Sequence, residues 1–95
     1  MSWLYRYTVD DEVLRLFLSL SKRKREELLR VFDHLASNSH LAGDSVQRDQ
    51  TGRVCQVKRF GIWTVTWWAE HLVKELHVID VERLVSDLRP PNSAL

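Results

Sequence analysis

The alternation of apolar and polar positions changes period twice along the chain, and those changes mark the elements. Residues 3–8 set Trp3, Tyr5 and Tyr7 against Leu4, Arg6 and Thr8, an aromatic-rich period of two that predicts a strand. Asp10, Asp11 and Glu12 then place acidic side chains where a helix N-terminus is positive. Between residues 13 and 20 only Arg15 and Ser19 are polar, which predicts a short helix buried over a wide face. Ser21 is placed to cap a second helix. Its Leu28, Leu29, Phe32, Leu35 and Ala36 recur at helical spacing, Glu26 and Arg30 form an i,i+4 pair, and it should end near Asn38-Ser39.

Residues 39–53 hold Gly43, Asp44, Asp49, Gln50, Thr51 and Gly52 and read as a polar loop. The period then returns to two. Residues 54–60 alternate Cys55 and Val57 with Gln56 and Lys58, and residues 62–69 are rich in Trp, Thr and Val. Glu70-His71 reads as a tight turn. Residues 72–82 carry Leu76 and Val78 at one phase and Val73, Ile79 and Val81 at the other, so both faces look apolar. The order β-α-α-β-β-β predicts an α+β domain over residues 1–88, with two helices packed on one face of an antiparallel sheet. Residues 84–88 suggest a last helical turn, and Pro90-Pro91-Asn92-Ser93 places a flexible tail at residues 89–95.

Composition narrows the function classes. Ninety-five residues suit one domain with a small core. The lone Cys55 excludes an intramolecular disulfide and leaves a cysteine-based zinc site short of ligands, so no metal and no cofactor are expected. No apolar run approaches the roughly 20 residues of a membrane span, and residues 1–6 do not read as a signal peptide. The expectation is a cytoplasmic protein without a membrane partner. Net charge is only +1, but residues 45–68 carry +3 and residues 69–88 carry −3, so the chain is polarised.

Three segments carry a family resemblance. They are residues 20–29 (Leu20-Ser21-Lys22-Arg23-Lys24-Arg25-Glu26-Glu27-Leu28-Leu29), residues 38–44 (Asn38 to Asp44) and the block from Gly52 to Trp67. With a last strand ending Asp80-Val81-Glu82-Arg83, they resemble the RelE/ParE toxins of bacterial toxin–antitoxin pairs over residues 3–83. The resemblance implies a RelE-like fold and an antitoxin that wraps the toxin. It also implies a ribosome-dependent, metal-independent mRNA endonuclease; the alternatives are a ParE-like DNA gyrase inhibitor and a non-catalytic interaction module on the same fold.

Metal-free RNA cleavage needs a base for the 2′-OH, cations on the phosphorane and an acid for the leaving oxygen. The resemblance points to Lys58, Arg83 and Arg53 as catalytic cations, with Arg59 and the tetrad Lys22, Arg23, Lys24 and Arg25 as RNA contacts. Trp63, Trp67 and Trp68 on one strand must face both sides of the sheet, and are expected to anchor the antitoxin. Two positions depart from the family pattern. Thr64 stands where many members have Arg, and Leu84 and Val85 where many have Tyr or His. His77 is a candidate base, though its apolar neighbours Leu76 and Val78 suit a sheet histidine better; His34, His40 and His71 read as surface residues.

Overall fold

A computed structural model describes residues 4–84. Trp3, Val85, the 84–88 turn beyond Leu84, the 1–88 domain limits and the 89–95 tail lie outside the described residues. The order is β1 (Arg6–Val9), α1 (Asp11–Ser19), α2 (Lys22–Ser37), β2 (Ser45–Arg48), β3 (Val54–Phe60), β4 (Trp63–Glu70) and β5 (Glu75–Arg83). The strands form one sheet in the order β1-β5-β4-β3-β2. No helix among the described residues is long and apolar enough to cross a membrane.

Local chemistry sets the helix limits. The Ser21 hydroxyl accepts from the Lys24 backbone N–H at 3.2 Å, which caps α2, and Asn38 ends it with its N–H on the Leu35 carbonyl. The tetrad opens this helix against its dipole. Arg25 offsets that by donating to the Leu20 carbonyl at 3.0 Å, and Lys24 by pairing with Glu27 at 3.4 Å. α1 is less buried than its composition suggests: Val13 is buried, while Leu14 and Leu18 are exposed.

Both helices cover one face. Val13, Leu20, Leu28, Phe32 and Leu35 pack with Trp63, Val65, Trp67, Leu76, Val78 and Val81, with Tyr7 and Phe60 at the margin. Strand register explains why all three β5 residues face inward. Trp67 stands opposite Val78 and Thr66 opposite Asp80, so Ile79 is an extra residue at a bulge. The bulge shifts the phase of the strand. Leu76, Val78 and Val81 therefore share the core face, while Val73 falls in the turn before β5 and Ile79 at the bulge, so the second apolar face expected from the sequence does not form.

Two further differences concern topology. β1 runs parallel to β5, Arg6 opposite Glu75 through Val9 opposite Val78, so the sheet is mixed rather than wholly antiparallel. Period-two alternation fixes which face a side chain takes but carries no information about strand direction. β2 lies inside the expected polar loop, antiparallel to β3, with all four residues exposed. An exposed edge strand needs backbone pairing and no apolar face, so it has no hydrophobic signature.

The segment between α2 and β2 passes tightly over β3. Gly43 donates to Gln56 Oε1 at 2.7 Å, and a Cβ at this position would stand 2.5 Å from the Val57 carbonyl oxygen and 2.7 Å from its nitrogen. Backbone cannot yield as a flexible side chain can. Gly43→Ala should therefore lose about 1–3 kcal/mol, the range for overpacking, read by chemical denaturation. An unchanged midpoint would show that this crossing is loose.

Candidate functional site

The face without helices carries the polar side chains. By register it presents Arg6 and Thr8 from β1, Glu75, His77, Asp80 and Glu82 from β5, Thr64, Thr66, Trp68 and Glu70 from β4, and Cys55, Val57 and Arg59 from β3. Four carboxylates thus lie along β4 and β5, and Arg59 of β3 lies on the other side of β4. Burial, Glu82 and Glu12 together raise the Asp80 carboxyl above its ordinary value.

Trp68 is the centre of this face. The Arg53 guanidinium lies over its ring at 3.8 Å, a cation–π contact. The His77 ring stacks on it at 4.2 Å and 17°. Since β4 lies between β3 and β5, the indole is sandwiched between the two. Both ring faces are occupied, so Trp68 works as a support that holds Arg53 and His77. Asp49 Oδ2 meets Arg53 at 3.3 Å, and Oδ1 accepts from the Thr51 hydroxyl and the Thr51 and Arg53 backbone N–H groups. The loop that aims Arg53 is thereby built around one carboxylate.

Two open clefts meet at Arg53 and Trp68. One, of about 580 Å³, runs past Arg48, Gln50, Thr51 and His77 to Asp10. The other, of about 440 Å³, lies at the end of the strands among Ser39, His40, Gln56 and His71. There the His40 and His71 rings stack at 4.4 Å and 5°, and Tyr5 Oη is 2.7 Å from His71 Nδ1. Tyr5 fixes the His71 ring through its Nδ1. His40 and His71 are exposed, as the sequence suggested, but their stacking was not legible in it. They are 31 positions apart, and neither has a motif around it.

The residues expected to act together are divided. Arg53 sits on Trp68 on the helix-free face. Lys58 takes the helix-covered face by register and pairs with Asp44 at 3.2 Å, 5.8 Å from the Phe60 ring. Arg83 is on that same face opposite Trp63, with its guanidinium 5.9 Å from the Trp63 ring. Arg59 faces the other way, with its Nε on the Gly61 carbonyl at 3.0 Å. The basic tetrad lies at the start of α2, away from both clefts. Trp63 and Trp67 are each 2% exposed within the core, so of the three tryptophans only Trp68 reaches the surface. Burial raises the Cys55 thiol above its ordinary value.

No protein-family model matches the sequence, and no curated protein matches it. A chain of the crystal structure of the archaeal RelE-RelB complex from Pyrococcus horikoshii OT3 is similar in structure. The TM-score is 0.65 at 16% identity, covering 84% of this chain and 94% of that one. The fold is RelE-like, two helices packed against a five-stranded mixed sheet.

The Asp49 turn gives a pH test. Its carboxyl is held below the ordinary 3.8, first by the Thr51 hydroxyl, then by the backbone N–H groups of Arg53 and Thr51 and by the Arg53 charge. A lowered folded-state pKa stabilises above the unfolded value and is lost as pH falls through the folded one. The Arg53 Nε–H resonance and the amides of residues 49–53 should hold their positions from pH 7 to 5 and shift only below about 3.8. Asp49→Asn should show the shifted positions at neutral pH. A transition near pH 6 would mean that another group holds the turn.

Proposed function

We propose that this protein is the toxin of a toxin–antitoxin pair and acts as a RelE-like mRNA endonuclease on the ribosome. The reading rests on the RelE-like fold together with Arg53, held on Trp68 where two clefts meet. Arg53 supplies a fixed, always-charged fork for phosphate oxygens. His40 and His71 line the same cleft as Arg53 and supply imidazoles that can take up and release a proton.

In this reading one imidazole takes the proton of a 2′-OH as its oxygen attacks the adjacent phosphorus. Arg53 holds the non-bridging oxygens as the pentacovalent charge develops, and the other imidazole, protonated, donates to the departing 5′-oxygen. The products are a 2′,3′-cyclic phosphate and a free 5′-hydroxyl. The Tyr5 hydroxyl positions His71 as a third group positions the base in other nucleophilic sites. Lys58 and Arg83, set on the opposite face, add attraction to ribosomal RNA, as do Arg59 and the tetrad Lys22 to Arg25.

The partner follows the same line of argument. The similar archaeal chain was crystallised as a RelE-RelB complex, and an antitoxin partner is proposed here by that likeness. The surface open to it is apolar at Leu14 and Leu18 of α1 and at Val46 and Val54 of β2 and β3. Trp63 and Trp67 lie beneath the helices, so an antitoxin would meet these exposed residues first.

Primer extension on mRNA from programmed ribosomes tests the reading. Wild type should cut; Arg53→Ala and His71→Ala should each cut about 10²–10⁴-fold more slowly, the usual range for a lost proton carrier or charge stabiliser. If Lys58→Ala and Arg83→Ala abolish cutting while Arg53→Ala does not, the site lies on the helix-covered face. If wild type leaves mRNA intact and blocks gyrase supercoiling instead, the ParE-like alternative replaces this reading.

A further inference from the structure

The β4–β5 hairpin gathers three potential ligands on the helix-free face. Glu70 and Glu75 are direct cross-strand partners, and His77 follows Glu75 by two residues on the same face. One donor atom from each lies within 4.8 Å of the others. His77 Nε2 is 3.5 Å from Glu75 Oε1 and 4.0 Å from Glu70 Oε1. Two carboxylates directly opposite one another repel and call for a cation between them. Arg6 meets only the outer oxygen, Glu75 Oε2, at 2.8 Å, which leaves Oε1 turned to the imidazole.

The imidazole is held in place on two sides. Trp68 stacks on its face, and Thr8 Oγ1 lies 3.0 Å from Nδ1. Nε2 is fully buried with no hydrogen-bond partner, a costly state for a polar atom unless something binds it. When Nδ1–H donates to Thr8, Nε2 carries a lone pair and stands beside both carboxylates. Orientation of a ligand histidine through its other nitrogen is the usual second shell of a metal site. Ligands about 2.0–2.1 Å from a tetrahedral zinc ion stand about 3.3–3.4 Å apart. The 3.5 Å separation is close to that, and the exposed Glu70 can close the 4.0 Å one by a rotamer change.

We propose that Glu70, Glu75 and His77 form a three-ligand site for a divalent transition ion of the zinc type, with one coordination position left to water. One imidazole with two carboxylates suits zinc better than calcium or magnesium, which prefer oxygen throughout. The ion fastens β4 to β5 and, through Arg6 and Thr8, steadies the edge strand β1. The site is independent of the ribonuclease reading: it needs neither RNA nor the His40–His71 pair.

The test uses the full chain, stripped with chelator and titrated with Zn²⁺ by calorimetry and with Co²⁺ by visible absorption. One ion should bind per chain and raise the thermal midpoint by roughly 10 °C at a hundredfold excess over its Kd. Glu70→Gln/Glu75→Gln, which keeps side-chain shape, and His77→Ala should each lose binding at least tenfold. His40→Ala/His71→Ala should bind as the parent does. The proposal is overturned if no ion binds. It is equally overturned if the ion is lost from His40→Ala/His71→Ala and kept by the hairpin variants, which would place it on the stacked imidazoles. Far-UV circular dichroism of each metal-free variant separates lost ligands from lost fold.

Discussion

The bulge at Ile79 is the constraint on which the rest of the molecule depends. In an unbroken strand Val81 would share a face with Ile79 and His77, and the core would lose one of its three β5 side chains. Returning Val81 to water would cost about 1.5–3 kcal/mol, a large fraction of what a chain of this size can spare. With the extra residue in place, Leu76, Val78 and Val81 all meet the helices. The opposite face is then free to hold polar and charged groups without exposing a second apolar surface.

That separation explains the arrangement of charge. The acidic residues of β5 and the pair Arg53 and Arg59, just before and within β3, are separate blocks in sequence, and the strand order sets them on either side of β4. Trp68 stands at the boundary. Its indole gives Arg53 one face and His77 the other, so the same side chain supports the phosphate-binding candidate and the hairpin ligand cluster. Asp49 completes the support of Arg53 from the loop, and Thr8 that of His77 from β1. The two clefts meet at Arg53 because the turn before β3 brings this residue over the strand end.

Much of this architecture is written in short-range pattern. Ser21 and Asn38 mark α2, Gly61 with its positive φ turns β3 into β4, and the α+β order gives two helices on one face. What the pattern lacks has physical causes. β2 has no buried side chain to leave a trace, and alternation is indifferent to whether β1 runs parallel or antiparallel to β5. The phase slip at Ile79 was present in the sequence as Leu76, Val78 and Val81, but it reads equally well as two apolar faces. Among the candidate site residues, Arg53 was singled out by the family resemblance and not by any local pattern. The face taken by Lys58 and Arg83, the burial of Trp63 and Trp67, and the stacking of His40 on His71 depend on register and on contacts between distant segments.

The central claim is that RNA meets this protein at Arg53, where the clefts join. The most direct measurement is nuclear magnetic resonance of the isotope-labelled chain titrated with a short single-stranded RNA. The account predicts perturbation of the Arg53 Nε–H, the Trp68 indole N–H and the His40 and His71 rings, with weakening as salt rises. Perturbation confined to Lys58, Arg83 or the start of α2, with the Trp68 indole unmoved, would contradict it.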